Sequence, residues 1–345
     1  MERKTVLVGS IPADNSEEAM TQALSELGPH LRQLPDGETG DRRLWAGGII
    51  NTLRSHPDLR VRREGGWSGY DDPLNLAIRK GHRFTGEGLN LGHVEAYRAS
   101  RPVFERLRVE HGRPDLSFQI GIPGDFDLAL FAFGLTGPFR HRRAFTDATV
   151  REIEQIHAEA GDDVLFQIEV PAELVFVAKL PAVLQPAMAG WMSGIVTNLA
   201  RRAPRGARFV VHLCLGDLGH KALCAPRDTG PLVKLANAIG RRWPVDRPLE
   251  YIHAPLASGE DPPPLDDAFY RPLARLQLPP QVRLVAGFLH EDRSMEELRR
   301  ILATVESQVG KPVDVAASCG LGRRGVAAAG VVMRQSSSLC VTPVG

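Results

Sequence analysis

Two short segments more than a hundred residues apart carry the side chains best suited to chemistry. An apolar run ends in His212-Leu213-Cys214, and a second apolar run, residues 313–317, leads to Cys319. Residues i and i+2 of a strand face the same way, so His212 and Cys214 share one face of a predicted strand. One imidazole and two thiols supply three of the four ligands of a tetrahedral zinc site, leaving the fourth position to a substrate or another ligand. The pattern predicts a zinc site that does thiol chemistry.

The elements that must position these groups are short apolar, β-branched runs separated by helix-length amphipathic stretches. Alternation of strand and helix favours a parallel sheet, and eight strands in a chain of this size favour one (β/α)8 TIM barrel domain over residues 1–345. A doubly wound open sheet is the alternative. The eight predicted strands are residues 5–9, 31–35, 116–122, 164–169, 207–213, 248–253, 282–288 and 313–318.

Several of the intervening segments have the apolar spacing of amphipathic helices. Ser16 is the predicted N-cap of the first helix, because an apolar face follows it in residues 19–27. Residues 146–160 and 294–309 show the same spacing. Cys340 is predicted to be a bystander near a disordered C-terminal segment.

Two connections are too long for the simple repeat. Residues 40–115 are rich in Gly, Arg and aromatic side chains, and residues 255–280 are rich in Pro. Long connections in a barrel with this architecture lie at the catalytic end, where they form lids or binding walls.

Composition excludes several classes of function. The chain has 345 residues, 43% of them hydrophobic, and its 42 basic and 41 acidic residues give a formal net charge of +1. This balance argues against binding to nucleic acid or to a membrane surface, and no apolar stretch approaches the roughly 20 residues that span a bilayer. Four cysteines and no signal-peptide pattern predict a cytoplasmic protein.

Polar and ionisable residues follow most of the predicted strands, where a barrel places its functional groups. Burying such groups without partners is costly, so a packed core does not account for them. These residues, besides the zinc-type ligands, are Ser10, Glu38, Glu169, His253 and His290.

These strand ends resemble the catalytic barrel of cobalamin-independent methionine synthase, within the uroporphyrinogen decarboxylase/methionine synthase-like superfamily. The resemblance extends over nearly the whole chain, but it consists of short motifs in a matching order. They are Gly9-Ser10-Ile11-Pro12, Asp36-Gly37-Glu38, Gln167-Ile168-Glu169, His212-Leu213-Cys214, His290, and Ser318-Cys319-Gly320-Leu321.

The resemblance implies Zn2+ as cofactor, held by His212, Cys214 and Cys319. It also implies that Glu38 and Glu169 contact the amino group of a homocysteine-like acceptor, and that His290 is the proton donor. Ser10 is expected to help hold the acceptor's carboxylate.

The chain departs from the family's pattern at three places. The family's fourth zinc ligand is a Glu at the end of the sixth strand, where this chain has His253, which would then be the fourth ligand. Where the family has an adjacent Asp-Glu pair, this chain has Glu169-Val170, so one of the two carboxylates is missing. The Trp on which the family stacks its folate is missing from the loop after the third strand, where Phe131 is the nearest aromatic residue.

The predicted activity is zinc-dependent transfer of a methyl or similar alkyl group to a thiol. The partners are a small thiol or amino-acid substrate and a methyl donor, and folate is one candidate donor. Two alternatives remain open. One is a metal-free lyase or decarboxylase of the same superfamily, and the other is a component that takes its methyl group from a corrinoid protein.

Overall fold

The computed structural model of the chain describes residues 2–341, and within this range it contains nine strands. Seven of them form one parallel sheet in the order β1-β4-β5-β6-β7-β8-β9, while β2 and β3 form a separate antiparallel hairpin. The strands are β1 (Gln33–Pro35), β2 (Leu59–Arg63), β3 (Asn75–Ile78), β4 (Ser117–Pro123), β5 (Val164–Val170), β6 (Arg208–Leu213), β7 (Leu249–Pro255), β8 (Arg283–Leu289) and β9 (Asp314–Ala317).

The N-terminal segment joins the two outer strands of this sheet. Thr5 forms parallel bridges to both Leu31 and Val315, so the curled sheet takes the form expected of a (β/α)8 barrel. The backbone N–H of Val6 donates to Val315 O at 3.0 Å, and that of Arg32 donates to Thr5 O at 3.0 Å. The barrel prediction is therefore confirmed, and the open-sheet alternative does not describe this topology.

The predicted first strand, residues 5–9, is reduced to the bridge at Thr5. The carbonyl groups beyond Thr5 find side-chain partners inside the barrel. The Gln119 amide donates to Leu7 O at 3.1 Å and to Val8 O at 2.6 Å, and the Gln167 amide donates to Val8 O at 2.5 Å. Because these side chains satisfy the backbone, the segment needs no regular strand pairing.

Eleven α-helices accompany the strands among residues 2–341. They are α1 (Ser16–Leu27), α2 (Ala46–Thr52), α3 (His93–Glu110), α4 (Asp125–Phe133), α5 (Gly137–Arg140), α6 (Arg142–Ala160), α7 (Pro171–Lys179), α8 (Gln185–Arg202), α9 (Gly230–Arg242), α10 (Met295–Val309) and α11 (Val326–Cys340).

Helix ends follow local capping chemistry. The N-cap of α1 is Asn15, whose side chain accepts from Glu18 N, so the prediction of Ser16 was wrong by one residue. Both residue types are good N-caps, and only the backbone conformation distinguishes them. The predicted helix at residues 294–309 is α10, where Ser294 is the N-cap and Glu297 completes a reciprocal capping box. Cys340 is a buried residue of α11, so the predicted disorder near it was wrong.

The long connection after β1 forms a structured insertion. It contains α2, the β2–β3 hairpin and α3. Its apolar side chains pack with α4 and α6 in a second core, separate from the main core between sheet and helices. The insertion is thereby held over the carboxyl ends of the sheet strands. Within residues 2–341, no helix combines the length and apolar character needed to cross a membrane.

Candidate metal and substrate site

Three potential metal ligands converge at the carboxyl ends of β6 and β9. His212 lies near the end of β6, Cys214 directly follows that strand, and Cys319 follows β9. One ligand atom from each residue lies within 4.8 Å of the other two. The Cys214 and Cys319 Sγ atoms are 3.7 Å apart, and Cys319 Sγ is 3.9 Å from His212 Nε2. Residues more than a hundred positions apart thus meet because their strands run parallel in one barrel.

These distances fit a tetrahedral zinc ion. Zn–S bonds of about 2.3 Å and Zn–N bonds of about 2.0–2.1 Å place two ligand sulfurs about 3.8 Å apart, and a sulfur and a nitrogen about 3.6 Å apart. The observed separations of 3.7 and 3.9 Å agree with these values to within a few tenths of an ångström. The donor set of two sulfurs and one imidazole is also the type that zinc prefers. The three residues therefore form a candidate metal site.

His253 lies behind His212 instead of facing the sulfurs. Its Nε2 lies 2.9 Å from Ala317 O, and because a carbonyl can only accept, this nitrogen carries the proton. Burial lowers the pKa of His253 to about 4, so the ring is neutral and its Nδ1 is an acceptor. His212 Nδ1 lies 2.8 Å from that Nδ1 and must be the donor. The proton on His212 is thereby held at Nδ1, and its Nε2 lone pair is left free.

Without a cation the sulfur site favours neutral thiols. The pKa of Cys319 is raised well above its ordinary value, first by its hydrogen bond to Cys214 and then by burial. Arg323, which lines the same cavity, opposes this shift only in part. A bound cation would reverse the balance, since metal-coordinated thiols are deprotonated.

A cavity of about 720 Å³ opens above the sulfurs. Ser10, Glu38 and Glu169 line it together with His212, Cys214 and Cys319, so six of the eight predicted site residues share one cavity. A second cavity, of about 860 Å³, shares Glu38, Trp45 and Glu169 with the first. These three side chains therefore belong to the walls of both cavities.

Half-buried Glu38 and buried Glu169 lie close together beneath Gly121. A Cβ atom on Gly121 would overlap Glu38 Oε1 and lie 2.9 Å from Glu169 Oε1. Burial raises the pKa of Glu169 to about 7, and burial together with the Glu169 charge raises the pKa of Glu38 well above its ordinary value. Two carboxyl groups held this way favour a ligand that brings a positive charge between them.

Arginines close to the carboxyl pair are engaged elsewhere. Arg42 forms an ion pair with Asp36 at 2.5 Å, and Arg323 pairs with Asp217 at 3.4 Å. Among residues 2–341, neither Glu38 nor Glu169 has a cationic partner within ion-pair distance. Within this part of the chain the pair therefore has no direct ion-pair partner, although the charges of Arg42 and Arg323 oppose the rise in the pKa of Glu38.

Ser10 contacts the turn that follows Cys319. Its carbonyl oxygen accepts from Leu321 N at 2.7 Å and from Gly322 N at 3.0 Å. A Cβ atom on Gly320 would overlap Ser10 Oγ, so the glycine permits this close approach. Ser10 thus couples the position of Cys319 to the first strand end.

Aromatic side chains from the long insertion form the cavity wall, and sequence reasoning missed them. Trp45, Trp67 and Tyr70 line the cavity with Phe131, whose position after β4 was expected. The Trp67 and Phe131 ring centroids are 5.4 Å apart, and those of Trp45 and Phe131 are 5.7 Å apart. The only signal in the sequence was the aromatic content of residues 40–115. The Pro-rich segment does not line this cavity but contacts the His220 turn through Gly259.

The backbone at this wall is strained. Only four non-glycine residues among residues 2–341 have a positive φ, namely Glu38 (44°), Trp45 (53°), Trp67 (58°) and His220 (61°). Three of them line the cavity. Side chains in this region of φ cost free energy and persist where the surrounding structure holds them, as at functional sites.

His290 lies outside the cavity wall. It is 1% exposed and groups with His220 and Glu291, whose carboxylate accepts from Arg324 Nε at 2.8 Å. Burial lowers the pKa of His290. Of the remaining two predicted site residues, His253 contacts His212 from behind and His290 lies further away, and neither lines the cavity.

Fold and site together define the class of protein. It is a parallel barrel whose strands carry, at their carboxyl ends, a His–Cys–Cys cluster and a pair of carboxyl groups in one cavity. Comparison of structures places two solved proteins over nearly the whole chain. A B12-independent methionine synthase from Shewanella sp. W3-18-1, solved with selenomethionine, is 14% identical, with a TM-score of 0.61 and 98% of each chain covered. A putative vitamin-B12 independent methionine synthase from Listeria monocytogenes is 11% identical, with a TM-score of 0.54 and 96% of each chain covered.

No family model and no curated protein matches the sequence. At this identity the likeness to the two solved synthases establishes a shared fold. The chain has the methionine synthase-like barrel, and the chemistry must be argued from its own residues.

Proposed function

We propose that this protein is a zinc-dependent methyltransferase that methylates a small thiol, with a homocysteine-like amino acid as the acceptor. The observation that carries the proposal is the group of His212, Cys214 and Cys319 at the base of a cavity that also contains Glu38 and Glu169. Sulfur ligands and a carboxyl pair together suit a substrate that has a thiol at one end and an ammonium group at the other.

His212 Nε2 and the two cysteine sulfurs would hold the zinc ion. When bound, zinc supplies a positive charge that keeps a substrate thiol in its nucleophilic thiolate form near pH 7, well below the ordinary thiol pKa. His253 is proposed as a positioning residue, since its Nδ1 accepts the His212 proton and orients the ligand nitrogen.

The remaining cavity residues bind and orient the acceptor. Glu38 and Glu169 would receive its ammonium group, and Ser10, beside Cys319, would contact its carboxylate. The thiolate of the acceptor then forms a bond to the methyl carbon, while the electron pair of the broken bond stays with the donor. The carboxyl pair fixes the acceptor so that its sulfur lies at the cysteine end of the cavity.

The second cavity supports a reaction with two substrates. Because Glu38, Trp45 and Glu169 line both cavities, molecules bound in the two cavities would contact the same three side chains. The solved Shewanella synthase carries selenomethionine, which is consistent with an amino-acid chalcogen ligand in a barrel of this shape.

Metal content tests the proposal. Elemental mass spectrometry on protein purified without a chelating tag should find about one zinc ion per chain in the wild type, and much less in Cys214→Ser and Cys319→Ser. Cys224→Ser is the matched control, because Cys224 is a half-buried free thiol outside the cluster.

Activity should follow the metal. Homocysteine and other small thiols would be screened with methyl donors by mass spectrometry of the products, and both cysteine variants should lose turnover. A metal-free wild type that also takes up no added zinc would contradict the proposal, and the metal-free lyase alternative would replace it.

A further inference from the structure

We propose that Arg323 makes this cavity selective for acceptors that carry a carboxylate, because its guanidinium binds that group while Glu38 and Glu169 hold the ammonium. This inference rests on the proposed function and deepens it, because it names a residue that determines which thiols the site accepts. It gives a role to the positive charge in the cavity wall, which neither the metal cluster nor the carboxyl pair uses.

The Arg323 side chain has hydrogen-bond donors that remain open to the cavity. It lines the cavity and is 17% exposed. Among residues 2–341 it donates only to Asp217 Oδ2 at 3.4 Å and to Arg43 O at 3.3 Å, although a guanidinium has five N–H donors. The neighbouring Arg324 differs, because its side chain is 1% exposed and lies outside the cavity wall. Both contacts of Arg323 are long, so an anionic ligand can add to them.

The carboxyl pair and Arg323 share the cavity without pairing with each other. The charge of Arg323 opposes the rise in the pKa of both Glu38 and Glu169, so the guanidinium acts on the pair from elsewhere in the same site. Within residues 2–341, however, Arg323 forms its ion pair with Asp217 and none with either of these carboxyl groups. Opposite charges that are held apart in one cavity are complementary to a ligand that carries both charges.

The turn before Arg323 lies against the residue expected to contact the carboxylate. A Cβ atom on Gly322 would lie 2.7 Å from Ser10 Cβ and 3.4 Å from Arg43 Cγ. The Ser10 hydroxyl is a neutral group, whereas a guanidinium supplies a charge and a planar pair of donors that matches a carboxylate. Arg43 adds a second positive charge to the same cavity wall. Ser10 and Arg323 can therefore serve one carboxylate with a polar and a charged contact.

A thiol amino acid has three polar groups, and each has its own partner in the cavity. Its thiol suits the cysteine end, its ammonium suits the carboxyl pair, and its carboxylate suits Arg323. A thiol without a carboxylate would cover Arg323 and leave the guanidinium without an anionic partner, which is costly. Selectivity arises from this penalty, because a site built around a charged group rejects a ligand that lacks the matching group.

Binding of a matched pair of ligands tests the role of Arg323. L-Methionine and L-methioninol share the thioether and the ammonium group, but methioninol has a neutral CH2OH group where methionine has its carboxylate. Isothermal titration at about pH 8, above the pKa of about 7 of Glu169, should show at least about ten-fold tighter binding of methionine to the wild type. Arg323→Gln should reduce this preference to about two-fold or less, with the affinity for methioninol unchanged.

A second variant and a control keep the result specific. Arg323→Lys retains the charge but not the paired donors, so its preference should lie between those of the wild type and Arg323→Gln. Arg299→Gln, at an exposed position on α10 outside the cavity, should behave like the wild type.

Three results would overturn the inference. One is equal affinity of the wild type for the two ligands, and another is an undiminished preference in Arg323→Gln. The third is an equal loss of affinity for both ligands in Arg323→Gln, since that pattern would show that Arg323 only supports the fold through Asp217.

A transfer assay separates this inference from the proposed function. With a methyl donor identified in the thiol screen, homocysteine should be methylated with a kcat/KM about ten-fold or more above that of its decarboxylated analogue, 3-aminopropane-1-thiol. If the Arg323-dependent preference for methionine is found while no donor methylates any thiol, the proposed function fails and the cavity remains an amino-acid site. If the analogue is methylated as readily as homocysteine, the inference fails while the proposed function stands.

Discussion

His212 Nδ1 lies 2.8 Å from His253 Nδ1, and this contact between two buried imidazoles determines which nitrogen of His212 faces the cysteine sulfurs. The carbonyl oxygen of Ala317 accepts a hydrogen bond from His253 Nε2–H at 2.9 Å, which leaves His253 Nδ1 as the acceptor for His212. A chain of three groups, each with a defined proton, therefore runs from β9 through β7 to β6. Because these hydrogen bonds keep the proton of His212 on Nδ1, its Nε2 lone pair is available to a metal ion before any metal binds.

Replacing His253 should weaken metal binding without removing a ligand atom. In His253→Ala the His212 Nδ1–H loses its buried acceptor, so we expect zinc affinity to fall by about 10–100-fold. Competition with a chromophoric chelator measures this change. His157→Ala is the control, because His157 is a histidine of helix α6 far from the cluster in sequence. Unchanged zinc affinity in His253→Ala would show that the imidazole contact does not orient the ligand.

Adding one methyl group at Gly121 should disturb the carboxyl pair. The Cβ would overlap Glu38 Oε1 and lie 2.9 Å from Glu169 Oε1, so both carboxyl groups must move. For Gly121→Ala we expect the KM for the acceptor to rise by about ten-fold, the equivalent of one charge-assisted hydrogen bond, while zinc content stays unchanged. Gly190→Ala, whose nearest atom would be Arg242 Nη2 at 3.8 Å, should behave like the wild type. Equal KM values in the two variants would exclude the pair from acceptor binding.

Acceptor binding should strengthen as the pH rises through about 7. Burial raises the pKa of Glu169 to about 7, so below this pH the free protein holds a neutral carboxyl group there. An ammonium ligand needs the carboxylate, and binding below pH 7 must release a proton. Calorimetry with a thioether amino acid, in buffers of different ionisation enthalpy, measures both affinity and proton release.

Glu169→Gln is the variant that tests this assignment. Its affinity for the thioether amino acid should be weaker than that of the wild type and nearly independent of pH between 6 and about 8. A pH dependence that remains in this variant would assign the titration to another group.

A second buried acidic pair should make stability depend on pH. Glu173 faces Asp127 beneath Gly124, and burial raises the pKa of Glu173 to about 7 from the ordinary 4.5. Between these two values the folded protein binds more protons than the unfolded chain. The free energy of unfolding must therefore decrease as pH rises across this window, by on the order of 2 kcal/mol for this group.

Glu173→Gln should remove this pH dependence. Urea unfolding at about pH 5 and pH 8 should show a smaller difference between the two conditions than in the wild type. Glu154→Gln, at an exposed position on α6, is the control and should keep the wild-type difference. An unaltered difference in Glu173→Gln would mean that Glu173 keeps an ordinary pKa.

Much of the barrel was predictable because its strands and helices are local patterns. The runs that became β4 to β9 agree with the predicted strands to within two residues at every end. The first run was the exception, since Gln119 and Gln167 donate to its carbonyl groups from other strands. A contact of that kind joins residues that are more than a hundred positions apart, and no local pattern contains it.

The site, like the fold, was predictable only in part. His212, Cys214 and Cys319 come together as their spacing indicated, because residues at the carboxyl ends of parallel strands meet at one edge. Their role as zinc ligands stays a prediction, as do the roles of Glu38 and Glu169. Strand parity alone did not define the position of His253. In the structure one of its ring nitrogens faces a backbone carbonyl and the other faces the imidazole of His212.

What the sequence determined by itself was therefore the alternation of strand and helix and the chemical groups at the strand ends. Both follow from periodicity and from the cost of burying polar groups. Only the tertiary structure decided that Trp45 and Trp67 form the cavity wall, that His253 lies behind His212, and that His290 lies outside the cavity. These outcomes depend on how an inserted segment packs against distant loops, and packing between distant segments leaves no periodic trace along the chain.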